Sequence, residues 1–122
     1  MQLFYTLKNK KVVPCDRDEW LRMFEGRNRF MFFTPCCGCR VSTVFLGLDH
    51  GFSFKPDAEP VCFETMVFGG EMDQDMDRHI TWDEAEEGHQ TIVEKVADKI
   101  HQATVNKLEW LIIITLLWII FD

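Results

Sequence analysis

The residues with the clearest chemical potential run from Asp73 to Glu84, Asp73-Gln74-Asp75-Met76-Asp77-Arg78-His79-Ile80-Thr81-Trp82-Asp83-Glu84. Carboxylates Asp73, Asp75, Asp77 and Glu84 follow the spacing of a calcium-binding loop, with Ile80 at its apolar position and a helix leaving from Thr81. Such a ligand set suits a hard cation that takes oxygen donors. Two features oppose it. Arg78 stands where the sharp turn of that loop calls for Gly, and a strand ending in Gly69-Gly70 replaces the usual incoming helix. The competing reading is an acidic segment whose carboxylates favour a helix N-terminus.

Cys36 and Cys39 form one C-x-x-C with Gly38 in its turn, half of a zinc site. Completing it requires Cys37, Cys15, Cys62 or His50 to arrive through folding. Redox use of the pair lacks a thioredoxin-like βαβ setting. Asp49-His50 ends a strand, but adjacent strand residues point to opposite faces, so the pair is a poor acid–base dyad. His79 and His89 lack metalloprotease spacing, and there is no nucleophile elbow, phosphate loop or dinucleotide fingerprint. No catalytic residue is assigned, and a non-enzymatic role is expected. Calcium or zinc remains the alternative.

These residues need elements to hold them. Leu3–Leu7 reads as a first strand turned by Lys8-Asn9-Lys10-Lys11, with Val12 and Val13 pairing back. Asp16 caps a short helix over about 17–25, Glu19 completes a capping box, and Gly26 supplies a left-handed exit. Phe30–Thr34 and Val41–Leu48 read as a hairpin around Pro35–Cys39, and Val61–Phe68 as a further strand. Between them, Asp49–Pro60 forms a loop bearing Phe52 and Phe54. Thr81-Trp82-Asp83-Glu84 is another capping box, opening a long amphipathic helix through Ala85, Ile92, Val96, Ile100 and Ala103. Gly88 weakens its start. The expected fold is α+β, ββαβββα, a small antiparallel sheet of four to five strands with a short N-terminal and a long C-terminal helix.

Length fits one domain, residues 1–107, followed by a tail over 108–122. Charge divides unevenly: residues 1–45 carry eight Lys/Arg against four Asp/Glu, and residues 46–122 carry five against sixteen. Net acidity argues against general nucleic-acid binding, although Arg17, Arg22, Arg27, Arg29 and Arg40 offer a local basic face. The N-terminal charges follow a short apolar run, the reverse of a secretory signal, and five cysteines suit a reducing cytoplasm.

The blocks Val41-Ser42-Thr43-Val44-Phe45-Leu46-Gly47-Leu48-Asp49-His50, Phe63-Glu64-Thr65-Met66-Val67-Phe68-Gly69-Gly70 and Thr81-Trp82-Asp83-Glu84-Ala85-Glu86-Glu87-Gly88-His89 resemble those of a family of short, uncharacterised bacteriophage proteins. The resemblance extends over roughly residues 1–100 and implies a phage or prophage origin. It implies no catalytic residue. The Cys36–Cys39 cluster and the tail after Thr104 depart from that pattern.

The tail is Trp110, Leu111, Ile112, Ile113, Ile114, Thr115, Leu116, Leu117, Trp118, Ile119, Ile120, Phe121, apolar on every side. Twelve helical residues reach only about 18 Å, short of a hydrocarbon core of roughly 30 Å. The segment is expected to enter a membrane as a short anchor, to join the fold, or to pair copies into a homo-oligomer. The functional expectation is an accessory phage protein that binds a host or phage protein, inhibiting a host defence or process, in the host cytoplasm or at the inner face of its membrane. The alternatives are a small metal-binding enzyme or metal-stabilised module, and an acidic DNA mimic built on the eight acids between Glu71 and Glu87.

Overall fold

The computed structural model describes residues 2–36, 38–51 and 57–121, so Cys37, Phe52 and Phe54 lie outside the described residues. The fold is α+β. Strands β1 (Phe4–Lys8) and β2 (Lys11–Cys15) form a separate antiparallel hairpin, with Asn9 and Lys10 in the left-handed region at its turn. Helix α1 (Arg17–Glu25) follows, and the Asp16 carboxylate accepts the N–H of Glu19 at 2.8 Å. Its exit differs from the expected left-handed cap: Gly26 is extended at φ −77, and its N–H returns to the Arg22 carbonyl.

Strands β3 (Phe30–Cys36), β4 (Cys39–Phe45), β5 (Phe63–Phe68) and β6 (Met76–His79) make a second antiparallel sheet in that order. The sequence pattern foresaw one sheet and no β6. Met76-Asp77-Arg78-His79 has no apolar alternation, yet it pairs residue for residue with Phe63–Met66 of β5. Two anchors set that pairing. Asp73 accepts the Gly69 N–H at 2.6 Å, and Val67 exchanges backbone bonds with Gln74 and Asp75.

Helix α2 (Trp82–Phe121) lies across one face of the four-stranded sheet with Ala85, His89, Ile92 and Val96 buried. Its N-terminal cap forms with Thr81 Oγ1 accepting from Glu84 N, while the Glu84 carboxylate reaches one residue further back than a capping box requires and accepts from Ile80 N. The alternating positions Cys39, Val41, Thr43, Phe45 and Phe63, Thr65, Val67 supply the sheet's buried face. Two apolar clusters result. Cys39, Val41, Val67, Ile92 and Val96 pack at one end, and Phe45, Cys62, Phe63 and Ala85 pack at the other.

Gly88 earns its place in α2 by contact. A Cβ there would collide with the His79 ring, so the glycine lets β6 approach the helix. Gly88→Ala should therefore lower the melting temperature. A helix propensity gain of roughly 1 kcal/mol is outweighed by an overpacking cost of about 1–3 kcal/mol. The loss should shrink in a His79→Ala background; an unchanged or raised melting temperature for Gly88→Ala alone would contradict this packing.

Candidate functional site

Between the two apolar clusters runs a line of polar side chains crossing the sheet under α2. Thr34 of β3 meets His89 Nε2 at 2.8 Å, and His89 Nδ1 meets Thr43 of β4 at 2.7 Å. Thr43 then bonds Thr65 of β5 at 2.6 Å, and Thr65 lies 3.4 Å from His79 Nε2 on β6. Both imidazole nitrogens of His89 are thus engaged. Among the described residues no buried side-chain nitrogen or oxygen lacks a partner. The arrangement locks the helix register over the sheet. Thr43 and Thr65 occupy positions where Val would pack equally well, and a hydroxyl can bond across strands where a methyl cannot.

The outer end of this line opens into a cleft of about 930 Å³ between β3 and α2, walled on the helix side by Asp83, Glu86, Glu87 and Glu94. Thr34 and His89 resemble a nucleophile and base in spacing, but the surroundings oppose that chemistry. Four carboxylates at the mouth would destabilise a developing oxyanion, and catalysis of acyl transfer depends on donors aimed at that charge. The Thr–His pair is accounted for as packing.

The carboxylates singled out by sequence for metal chemistry serve separate local roles. Asp73 sits in the β5–β6 turn holding Gly69, and Asp75 lies beside β6 in the backbone ladder. Asp77 is on β6, 4.0 Å from His79, and Glu84 caps α2. The segment is a turn and a strand where a calcium loop would be wrapped around its ion. Cys36 and Cys39 are register partners beside the β3–β4 turn, and both pack against the apolar cluster at that end. Cys62 adjoins the far end of β5, about 20 Å along the strands from Cys39, and Cys15 belongs to the other sheet. Burial, reinforced by Asp49, pushes the Cys62 thiol up to about 12. Among the described residues no three His, Cys, Asp or Glu side chains gather as a metal-holding group.

Asp49 and His50 form no dyad. The Asp49 carboxylate accepts from Gly51 N at 2.8 Å and Val61 N at 2.9 Å, and it closes the loop's two ends together. Arg17 and Arg22 lie on α1, and two of the other arginines make local contacts. Arg29 donates to the Phe24 carbonyl and lies over the Phe24 and Phe30 rings, while Arg40 on β4 lies over Phe68. The eight acids from Glu71 to Glu87 split between the β5–β6 turn and strand and the first turns of α2.

The tail gives the strongest feature. Packing against the sheet ends near Ile100, and α2 continues unbroken to Phe121 as an arm of about 31 Å. Its eleven apolar side chains from Trp110 to Phe121 are 46% to 81% exposed. Thr115 donates its hydroxyl to the Leu111 carbonyl at 2.8 Å, so the one polar side chain between Trp110 and Phe121 is satisfied within the helix. Ile114, Leu117 and Phe121 share one side with Trp110, and Ile112, Leu116 and Ile119 stand on the opposite side. By length and composition the arm is apolar enough to cross a membrane. The wholly apolar stretch remains the twelve residues from Trp110, about 18 Å of helix, and the polar residues Asn106, Lys107 and Glu109 precede it, with Lys107 able to extend its amine outward.

Burial lowers the proton affinity of His89 below its ordinary value. The unfolded chain then binds the proton more readily, so this contribution to stability is complete above about pH 6.5 and is lost as pH falls below it. The melting temperature should drop on going from about pH 7.5 to about pH 5.5, and a flat or rising profile would contradict a neutral His89 bridging Thr34 and Thr43. Comparison with protein families, curated proteins and solved structures returns no match.

Proposed function

We propose that the protein is a non-enzymatic binding module anchored to a lipid bilayer by the C-terminal arm of α2, with the α+β domain held outside the lipid to meet a protein partner. The observation that carries this reading is the all-round apolar, uncovered helix from Trp110 to Phe121. An exposed apolar patch of this extent marks an interaction surface. What decides among possible covers is its circumference. One partner helix buries a seam of two to four in roughly seven positions. Pairing through Ile114, Leu117 and Phe121 would leave Ile112, Leu116 and Ile119 in water. Acyl chains contact every side at once.

The arm is short for a full crossing, and tilt, local thinning or extension of Lys107 to the headgroups accommodates the mismatch. The setting proposed is the inner face of a host membrane, on the strength of the arm, with a host or phage protein as the partner, which a phage origin would suit. No cofactor enters this proposal.

Fractionation of cells expressing the full chain and a chain ending at Lys107 tests it. The full chain should sediment with membranes, resist extraction by high salt or alkaline carbonate, and dissolve in nonionic detergent. The shortened chain should be soluble and melt at the same temperature, because the sheet-packing part of α2 is complete before Lys107. A full chain that remains soluble, as a monomer or a defined oligomer, would reject the membrane reading.

A further inference from the structure

The cleft beside β3 lies on a different part of the molecule from the apolar arm. We propose that it is a docking groove for an extended cationic peptide segment of a partner protein, which adds to the free edge of β3 and places Lys or Arg side chains against the acidic wall of α2.

Three independent observations carry this. The first is the sheet edge. Among the described residues β3 is the outermost strand and pairs only with β4, so its far side presents backbone donors and acceptors that no described strand takes up. Pro35 has no N–H and is tolerated in β3 because its nitrogen faces away from β4. Backbone direction alternates along an antiparallel ladder, so Phe33, two residues earlier, turns both its N–H and its carbonyl outward as well. The second is the groove's shape. Consecutive β3 residues from Met31 to Thr34 line it opposite one stripe of α2, which is the strand-and-helix setting that strand-addition domains use.

The third is charge. Asp83, Glu86, Glu87 and Glu94 recur along the helical stripe facing the groove. Among the described residues none of the four has a Lys or Arg ion-pair partner. A second copy of the chain entering through its own β3 would bring an identical acidic wall against this one, so like charges oppose self-pairing through this edge. A basic peptide is complementary. Pro35 and the bulge between Phe30 and Phe32 limit pairing to a short window centred on Phe33, which selects a short segment rather than open-ended strand stacking. Exposed Phe30 and Phe33 provide apolar contacts beside that window.

The test uses the full chain in nonionic detergent and a short alternating Lys-Val peptide. Its controls are an alternating Glu-Val peptide and a Lys-Val peptide whose backbone nitrogens are methylated at alternate positions. The Lys-Val peptide should bind and shift the Phe33 amide resonance, and the Glu-Val and N-methylated peptides should not bind. Glu86→Lys with Glu94→Lys, both exposed, should weaken binding about tenfold or more without changing the melting temperature. Absence of Lys-Val binding would overturn the proposal. Equal binding of the N-methylated peptide would show loose electrostatic adhesion and overturn strand addition. Binding insensitive to the charge reversals would overturn the groove. A detergent-resistant dimer dissociated by those reversals would assign the groove to a second copy. The cell fractionation reports on the arm alone, so either idea can fail without the other.

Discussion

A helix without a break transmits direction as a rigid rod, and the whole molecule depends on that property of α2. Ala85, His89, Ile92 and Val96 bind its first part to the sheet, and the remaining turns must then project wherever that packing aims them. The same rod has to satisfy two solvents. Up to Ile100 it is amphipathic, with one face on the sheet and the others in water. After Glu109 it is apolar around its circumference, a surface that water does not stabilise and a single protein neighbour does not cover.

The hydrogen-bonded line from Thr34 through His89, Thr43 and Thr65 toward His79 explains how the helix keeps its register despite the lever attached to it. Apolar contacts are non-directional and tolerate a slide by one turn. Directed bonds to both nitrogens of one imidazole do not. The line also divides the apolar interior into two clusters, so each end of α2 is held by packing and its middle by polar geometry. Gly88 belongs to the same device, since only an absent Cβ lets the His79 ring lie under the helix.

Much of this architecture was legible because the local chemistry agreed with it. Asp16 and Thr81 carry capping oxygens at the right offsets, Val41–Phe45 and Phe63–Val67 alternate with period two, and nothing from Gln90 onward interrupts a helix. β6 was not legible. Met-Asp-Arg-His has neither a strand's composition nor its alternation, and it becomes a strand because β5 offers an edge and the Asp73 turn returns the chain to it. The same carboxylates that imitate a calcium loop are spaced by that turn and strand. The polar interior was hidden for the complementary reason. Thr43 and Thr65 fall on the buried parity of their strands, and His89 follows Ala85 by one helical turn, so the pattern held the signal that threonine and histidine obscured. The β3 cleft depends on which strand ends at the sheet edge, a property of topology that spacing within one segment does not carry.

The arm's own tryptophans report on whether it lies among acyl chains. Trp110 and Trp118 lie on the arm, while Trp20 and Trp82 belong to the domain. The direct measurement is tryptophan fluorescence of the full chain reconstituted in vesicles whose acyl chains carry bromine, a short-range quencher, beside the chain ending at Lys107. Strong quenching of the full chain with none for the shortened one is the predicted result; emission from the full chain that bromine leaves unchanged would contradict the account.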